Sequence, residues 1–264
     1  KSNIYRGMLQ YKTAVQFGKT GLSPDTQIRN VTSTPLFPIG YGWLGGSGTV
    51  DDAFKFIYQD ITGAGIKKNT PQFIEEVGRY IKLGGLDESI EAQELLAVVK
   101  KLSENPNFVD KVIAKGLRTK FIDRATQFYQ AGDNVWKMYA IRWNKNNLSE
   151  IFKGNLKELR KQEELITGEK YNPISRITGK TKTFDEAVEE LSVWYARNLM
   201  PTYSLVPEAV RIVRLLPVGN FISWPSEIIR LTGTAFRTAF REASSTNLAI
   251  QQNGLRKLIG MSFK

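Results

Sequence analysis

VPEAVRIVRLLPVGNFISWPSEIIRLTGTAFRTAF, residues Val206–Phe240, reads as a helix, a break and a second helix. Pro207 stands near the start of a short amphipathic stretch, and Pro217 with Gly219 ends it. Trp224-Pro225-Ser226 opens the next helix. Ser226 suits an N-cap, because its hydroxyl can accept a free N–H of the first turn, and Glu227 follows where the helix dipole favours a negative charge. Arg230, Arg237 and Arg241 then recur at helical spacing beside Ile229, Phe236 and Phe240. Periodicity near 3.6, punctuated by proline and glycine, predicts an all-α chain.

The same pattern extends in both directions. Thr183 and Glu186 form a capping box that opens a helix to Leu199, and Asn247–Ile259 is a last amphipathic helix. Asp133 caps a helix through Phe152 that holds Trp136, Tyr139, Ala140 and Trp143, with Gly132 breaking it from Asn107–Ala131. The tryptophans of this helix read as core. Leu156–Ile166 is short and dense in charge. Thr70 caps a helix whose first residue is Pro71, whose apolar face is Phe73, Ile74, Val77, Tyr80 and Ile81, and whose end is Gly84-Gly85. Ile4–Phe17, Asp51–Ile61 and Glu88–Leu102 complete a set of about eight to ten helices, with no convincing strand.

The organisation that follows has four parts. Residues 1–50 hold a helix and an extended segment, and 51–167 form a helical region. Residues 168–182 are a polar, mobile linker or loop, and 183–264 form a C-terminal helical region. Gly21–Gly48 is a long irregular segment with Pro24, Pro35 and Pro38. Its Leu36, Phe37, Ile39, Tyr41 and Trp43 would make a sticky patch if exposed. The stretch is therefore expected to be ordered by contact with other elements or other chains.

Hydrophobic residues make up 41% of the 264, enough to build a core. The net charge of +11 and a pI near 9.7 point to an anionic neighbour: nucleic acid, anionic lipid or an acidic partner. The chain has no cysteine and no histidine. That excludes disulfides, thiol nucleophiles, His-ligated metals and any triad that needs a histidine base. Chemistry built on Asp, Glu, Lys, Tyr or Ser stays open. The first residue, Lys1, suggests a cleavage product or part of a longer chain, and no run of ~18 apolar residues marks a membrane span.

Candidate chemical motifs fall away on context. Gly40-Tyr41-Gly42-Trp43-Leu44-Gly45 spells G-x-G-x-x-G, but no strand precedes it and no helix opens inside it. Its glycines read better as close backbone packing beside Tyr41 and Trp43. Gly18-Lys19-Thr20 and Gly179-Lys180-Thr181 lack the upstream glycine of a phosphate loop, with Thr13 and Ile174 in its place. Glu75-Glu76, Glu163-Glu164 and Glu189-Glu190 read as solvated faces. No isolated acid in an apolar setting suggests a general acid, and no metal or cofactor site is expected.

What remains is the interleaving of arginine with aromatic residues. From Pro201 to the end the chain has eight cations against three carboxylates. Val206–Phe240 has four arginines, with Arg241 following, and no lysine. Protein interfaces favour Arg and aromatic residues over Lys, so the candidate interaction residues are Arg211, Arg214, Phe221, Trp224, Arg230, Phe236, Arg237, Phe240 and Arg241. The competing reading has the aromatics filling the chain's own core and the arginines pairing within it. A second basic concentration is Lys111–Arg124.

Three blocks carry a resemblance. LPVGNFISWPSEIIR (Leu216–Arg230), GLSPDTQIRNVTSTPLFPIG (Gly21–Gly40) and YQAGDNVWKMYAIRW (Tyr129–Trp143) cover less than a quarter of the chain. They resemble segments, in the same order, of the large internal virion proteins of short-tailed phages. None of the blocks is a catalytic signature. The resemblance implies storage in the capsid near the portal, ejection with the genome, and refolding as a channel across the cell envelope. Its implied partners are sister subunits and other internal virion or portal proteins, with DNA and the host membrane met during ejection. No small-molecule substrate, cofactor or enzymatic activity is implied for this stretch. Family members can carry a transglycosylase domain elsewhere, so a peptidoglycan-degrading module is one alternative. A basic nucleic-acid-binding module is another.

Overall fold

The capping box is formed as the sequence predicts. The Thr183 hydroxyl accepts from the Glu186 N–H, the Glu186 carboxylate accepts from the Thr183 N–H, and the helix runs Phe184–Leu199. A computed structural model describes residues 34–43, 71–86, 120–202, 205 and 223–262, the side chains of 71–74, 120–133 and 223–224 excepted. Its helices are α1 (Leu36–Gly40), α2 (Pro71–Lys82), α3 (Lys120–Phe152), α4 (Leu156–Thr167), α5 (Phe184–Leu199), α6 (Ser223–Ala243) and α7 (Leu248–Ser262). The described residues contain no strand, only an isolated antiparallel bridge between Ile174 and Thr181. The protein is all-α over these residues.

Helix α5 is the hub. Ala187, Val188, Leu191, Val193, Tyr195, Ala196 and Leu199 are buried, and the helix packs along α3 while touching α4 and α6. Met138, Ala140, Ile141 and Leu148 supply the facing surface of α3, and Trp136 and Trp143 pack against the same core, as their spacing suggested. Helix α2 is laid on this pair. Gly85 lets its end approach Val193 and Ile141 closely, and Tyr80, Leu83 and Leu86 are buried.

Helix α7 turns back across α6, and the two cross backbone to backbone. A Cβ on Gly254 would stand against the Ala243 nitrogen, 2.6 Å from the Ala239 carbonyl oxygen and 2.8 Å from the Glu242 carbonyl carbon. Gly260 meets Gly40 of α1 in the same way. Of the described glycines of the 40–45 motif, Gly40 is the backbone that Gly260 meets, and Gly42 has a positive φ of 72° that favours glycine. Tyr41 and Trp43 enter the core, Trp43 beside Trp143 of α3 and Tyr195 of α5, and the Tyr139 hydroxyl donates to the Trp43 carbonyl at 2.8 Å. The described part of the Gly21–Gly48 stretch is therefore held by other elements. Leu36 and Ile39 nonetheless remain exposed.

Several boundaries differ from the sequence expectation. Gly132 does not break a helix, since α3 runs unbroken for 33 residues. A glycine inside a helix costs about 1 kcal/mol, which long packing against α5 readily outweighs. Helix α6 begins at Ser223, so Ser226 lies inside its first turn rather than at its cap. Pro225 fits there because the first four N–H groups of a helix have no internal partner. The connection 168–182 was expected to be mobile, yet Tyr171, Ser175 and Lys182 within it are buried. The expected helices Ile4–Phe17, Asp51–Ile61 and Glu88–Leu102 lie outside the described residues.

Candidate interaction face

At about 100° per residue, the positions of α6 sort into two opposed faces. Glu227, Leu231, Ala235, Thr238, Ala239 and Glu242 point inward and are buried. Ile229, Phe236 and Phe240 project within about 40° of one another on the opposite side. They are 74%, 40% and 62% exposed. Exposed Gly233 and Arg237 flank them, and nothing lies within 4 Å of where a Gly233 Cβ would be. Helix α7 repeats the arrangement, with Leu248, Leu255 and Ile259 exposed at the same seven- and four-residue steps.

The two acids of residues 223–262 are both buried. Glu227 accepts from the Thr202 N–H and holds Arg230 through two guanidinium nitrogens at 2.6 and 2.8 Å. Glu242 is enclosed completely. Lys257 donates to both its oxygens at 2.5 and 2.6 Å, and the Tyr195 hydroxyl donates to it at 2.5 Å. The ammonium also lies 4.5 Å from the Tyr195 ring centroid and 5.8 Å from that of Trp43. Burial lowers the Lys257 pKa from its usual value, against the pull of Glu242, and it raises that of Tyr195. Four elements, α5, α6, α7 and the segment after α1, meet at this network. With its carboxylates drawn inward, the α6–α7 surface presents apolar side chains and arginine.

The predicted interaction residues therefore divide. Phe236, Phe240 and Arg237 are exposed together, Arg237 with its Nε on the Gly233 carbonyl at 3.2 Å. Arg230 was expected to form part of an intermolecular contact, but its charge is committed to Glu227 three residues earlier. Arg241 is likewise used within the chain: its guanidinium donates to the Ile166 and Thr167 carbonyls and closes the C-terminus of α4. Such a site suits a cation, because the last carbonyls of a helix carry partial negative charge. Arg211, Arg214 and Phe221 lie outside the described residues. Trp224 is in α6, but its side chain also lies outside them. Ile229 completes the exposed stripe and was noted only as a neighbour of the arginines. Leu248, Leu255 and Ile259 were missed, although the amphipathic period of the last helix carried their signal.

The carboxylate pairs also depart from expectation. Glu189 and Glu190 are buried, not solvated. Glu189 pairs with Arg79 at 2.7 Å and Lys145 at 3.0 Å, tying α2 and α3 to α5. Glu76 accepts from Tyr80 and Arg142, and its pKa is lowered: those bonds outweigh burial, the largest single influence. Glu163 is a perturbed acid of the kind the sequence did not reveal. Burial raises its pKa to about 7. Its Oε2 is closed off from solvent and has no hydrogen-bond partner. Among the described residues no group of acids is placed to hold a metal ion, and no helix is long and apolar enough to cross a membrane. Compared with known proteins, the chain matches no family model, no curated protein and no solved structure.

Proposed function

We propose that this chain is a structural, assembly-forming part of a phage internal virion protein. It would be stored in the capsid near the portal and ejected to help form a channel for DNA. The observation that carries the assembly role is the outward face of α6. Ile229, Phe236 and Phe240 stand in water beside Arg237, and no carboxylate of the helix shares that face. Isolated exposed apolar residues are ordinary, but an aligned aromatic stripe marks a surface that meets another molecule. Aromatic residues and arginine are also the types that interfaces concentrate. The phage setting rests on the resemblance of the Leu216–Arg230, Gly21–Gly40 and Tyr129–Trp143 blocks.

A second reading is favoured by the same surface, because apolar side chains with arginine and no acid also suit an anionic lipid headgroup layer. Vesicles with and without anionic lipid separate the two, since lipid binding follows headgroup charge and weakens with salt. The phage proposal is tested by quantifying this polypeptide in purified particles before and after DNA release. It should be present in several copies beforehand and depleted afterwards. Its absence from full particles, or an unchanged amount in emptied ones, would refute the proposal.

A further inference from the structure

We propose that Glu163 is the catch of a proton-operated latch, which holds the connection 168–182 closed on α4 and α5 in acid and loosens it above neutrality. Lys182 closes the connection. Its Nζ lies 3.0 Å from Glu190 of α5 and 3.8 Å from Glu163 of α4, and the side chains of Lys182 and Glu190 are almost completely buried. The Arg176 backbone N–H and Nε both reach Glu190, at 2.7 and 3.2 Å. Farther along, the Tyr171 N–H donates to Glu164, and the Tyr171 ring faces both Arg160 and Lys182.

One buried ammonium thus serves two carboxylates. Arg176 is half-exposed and directs its bonds to Glu190. Oε2 of Glu163 is buried and has no hydrogen-bond partner. Ionising Glu163 leaves that oxygen charged and without a donor, near Glu190. Protonating it removes the excess charge and leaves Lys182 to Glu190. The charged groups around Glu163 are Lys182 and Arg176 from the connection, Glu190 from α5, and Glu164 beside it on α4. Burial acts most strongly and raises its pKa from 4.5 to about 7; the two cations oppose the rise, and the two acids add to it.

The sign follows from linkage. The closed connection holds the proton more tightly than an open one, in which Glu163 titrates near its usual value. Closure is therefore fully supported below pH 4.5, and that support is lost as pH rises through 7. Between pH 6 and 8 the closing equilibrium should fall about tenfold. The chain has no histidine, so a side-chain response near neutrality needs a displaced group such as this one. Loosening would uncover Lys182, Tyr171 and Ser175, all buried in the closed form.

The test is amide hydrogen exchange of 168–182 in the 264-residue chain at pH 5.5 to 8.5, corrected for the intrinsic rate. Protection should fall about tenfold from pH 6 to 8. Glu163→Gln, which cannot ionise, should stay protected throughout. Constant protection in the unaltered chain, or the same fall in Glu163→Gln, would overturn the latch. If Glu163→Gln does not fold, carbon-detected titration of the Glu163 carboxyl in the unaltered chain decides. A midpoint near 7 that coincides with the loss of protection supports the latch, and a midpoint near 4.5 overturns it.

Discussion

Lys257→Met should destabilise the protein by about 3–5 kcal/mol, the usual cost of removing one partner from a buried ion pair. The substitution keeps most of the apolar stem but leaves Glu242 enclosed with only the Tyr195 hydroxyl as a donor. The loss should not stay local, because the pair joins α7 to α6 and its rings belong to α5 and to the segment after α1. Lys257→Met combined with Glu242→Leu should recover much of the stability, since two apolar residues need no mutual neutralisation. Urea unfolding of the two single variants and the double variant measures the coupling. Simple additivity would show that the pair contributes no specific interaction.

Gly254→Ala should cost about 2–3 kcal/mol, at the upper end of ordinary overpacking. In a free helix the change would be favourable, because alanine is the better helix former by about 1 kcal/mol. Here the new methyl meets the backbone of α6 at Ala239, Glu242 and Ala243, which cannot turn aside as a side chain would. Helix α7 must move outward, and Lys257, one turn further on, is drawn away from Glu242. Gly233→Ala is the internal control. It lies on the open side of α6, has nothing within 4 Å of its Cβ position, and should be neutral or stabilising. The unfolding temperature should therefore fall for Gly254→Ala and stay or rise for Gly233→Ala. A shift in the same direction would mean that the α6–α7 crossing is not as close as described.

Local signals were legible at several helix ends, although Asp133 and Ser226, read as caps, lie inside α3 and α6. The Thr183–Glu186 box, Pro71 at the start of α2, and Asn247, whose side chain accepts from the Ala249 and Ile250 N–H groups, all act over three residues. Gly132 was misread because propensity is a weak preference that a packed helix overrides. Glu189 and Glu190 looked solvated beside their sequence neighbours, whereas their partners Arg79, Lys145 and Lys182 come from other elements. The candidate face was half legible. Helical period placed Phe236 and Phe240 on one stripe, but which side faced outward depended on where Gly254 and Lys257 hold α7. Arg230 and Arg241 could not be distinguished from Arg237 by spacing. Their roles were decided by Glu227 and by the end of α4, one three residues away and the other more than seventy.

The assembly role proposed above requires the outward stripe of α6 to join this chain to a partner, and a second copy of the chain is the partner most readily tried. Sedimentation velocity of the unaltered chain and of Phe236→Asp/Phe240→Asp, across a concentration series, tests it most directly. Both changes lie on the exposed side, so circular dichroism should show the same helix content in each. Replacing a buried interface aromatic typically costs about 2 kcal/mol or more. The unaltered chain should associate in a concentration-dependent way, weakened more than tenfold in the variant. Two chains that remain monomeric at every concentration, or that associate equally, would contradict assembly through this stripe.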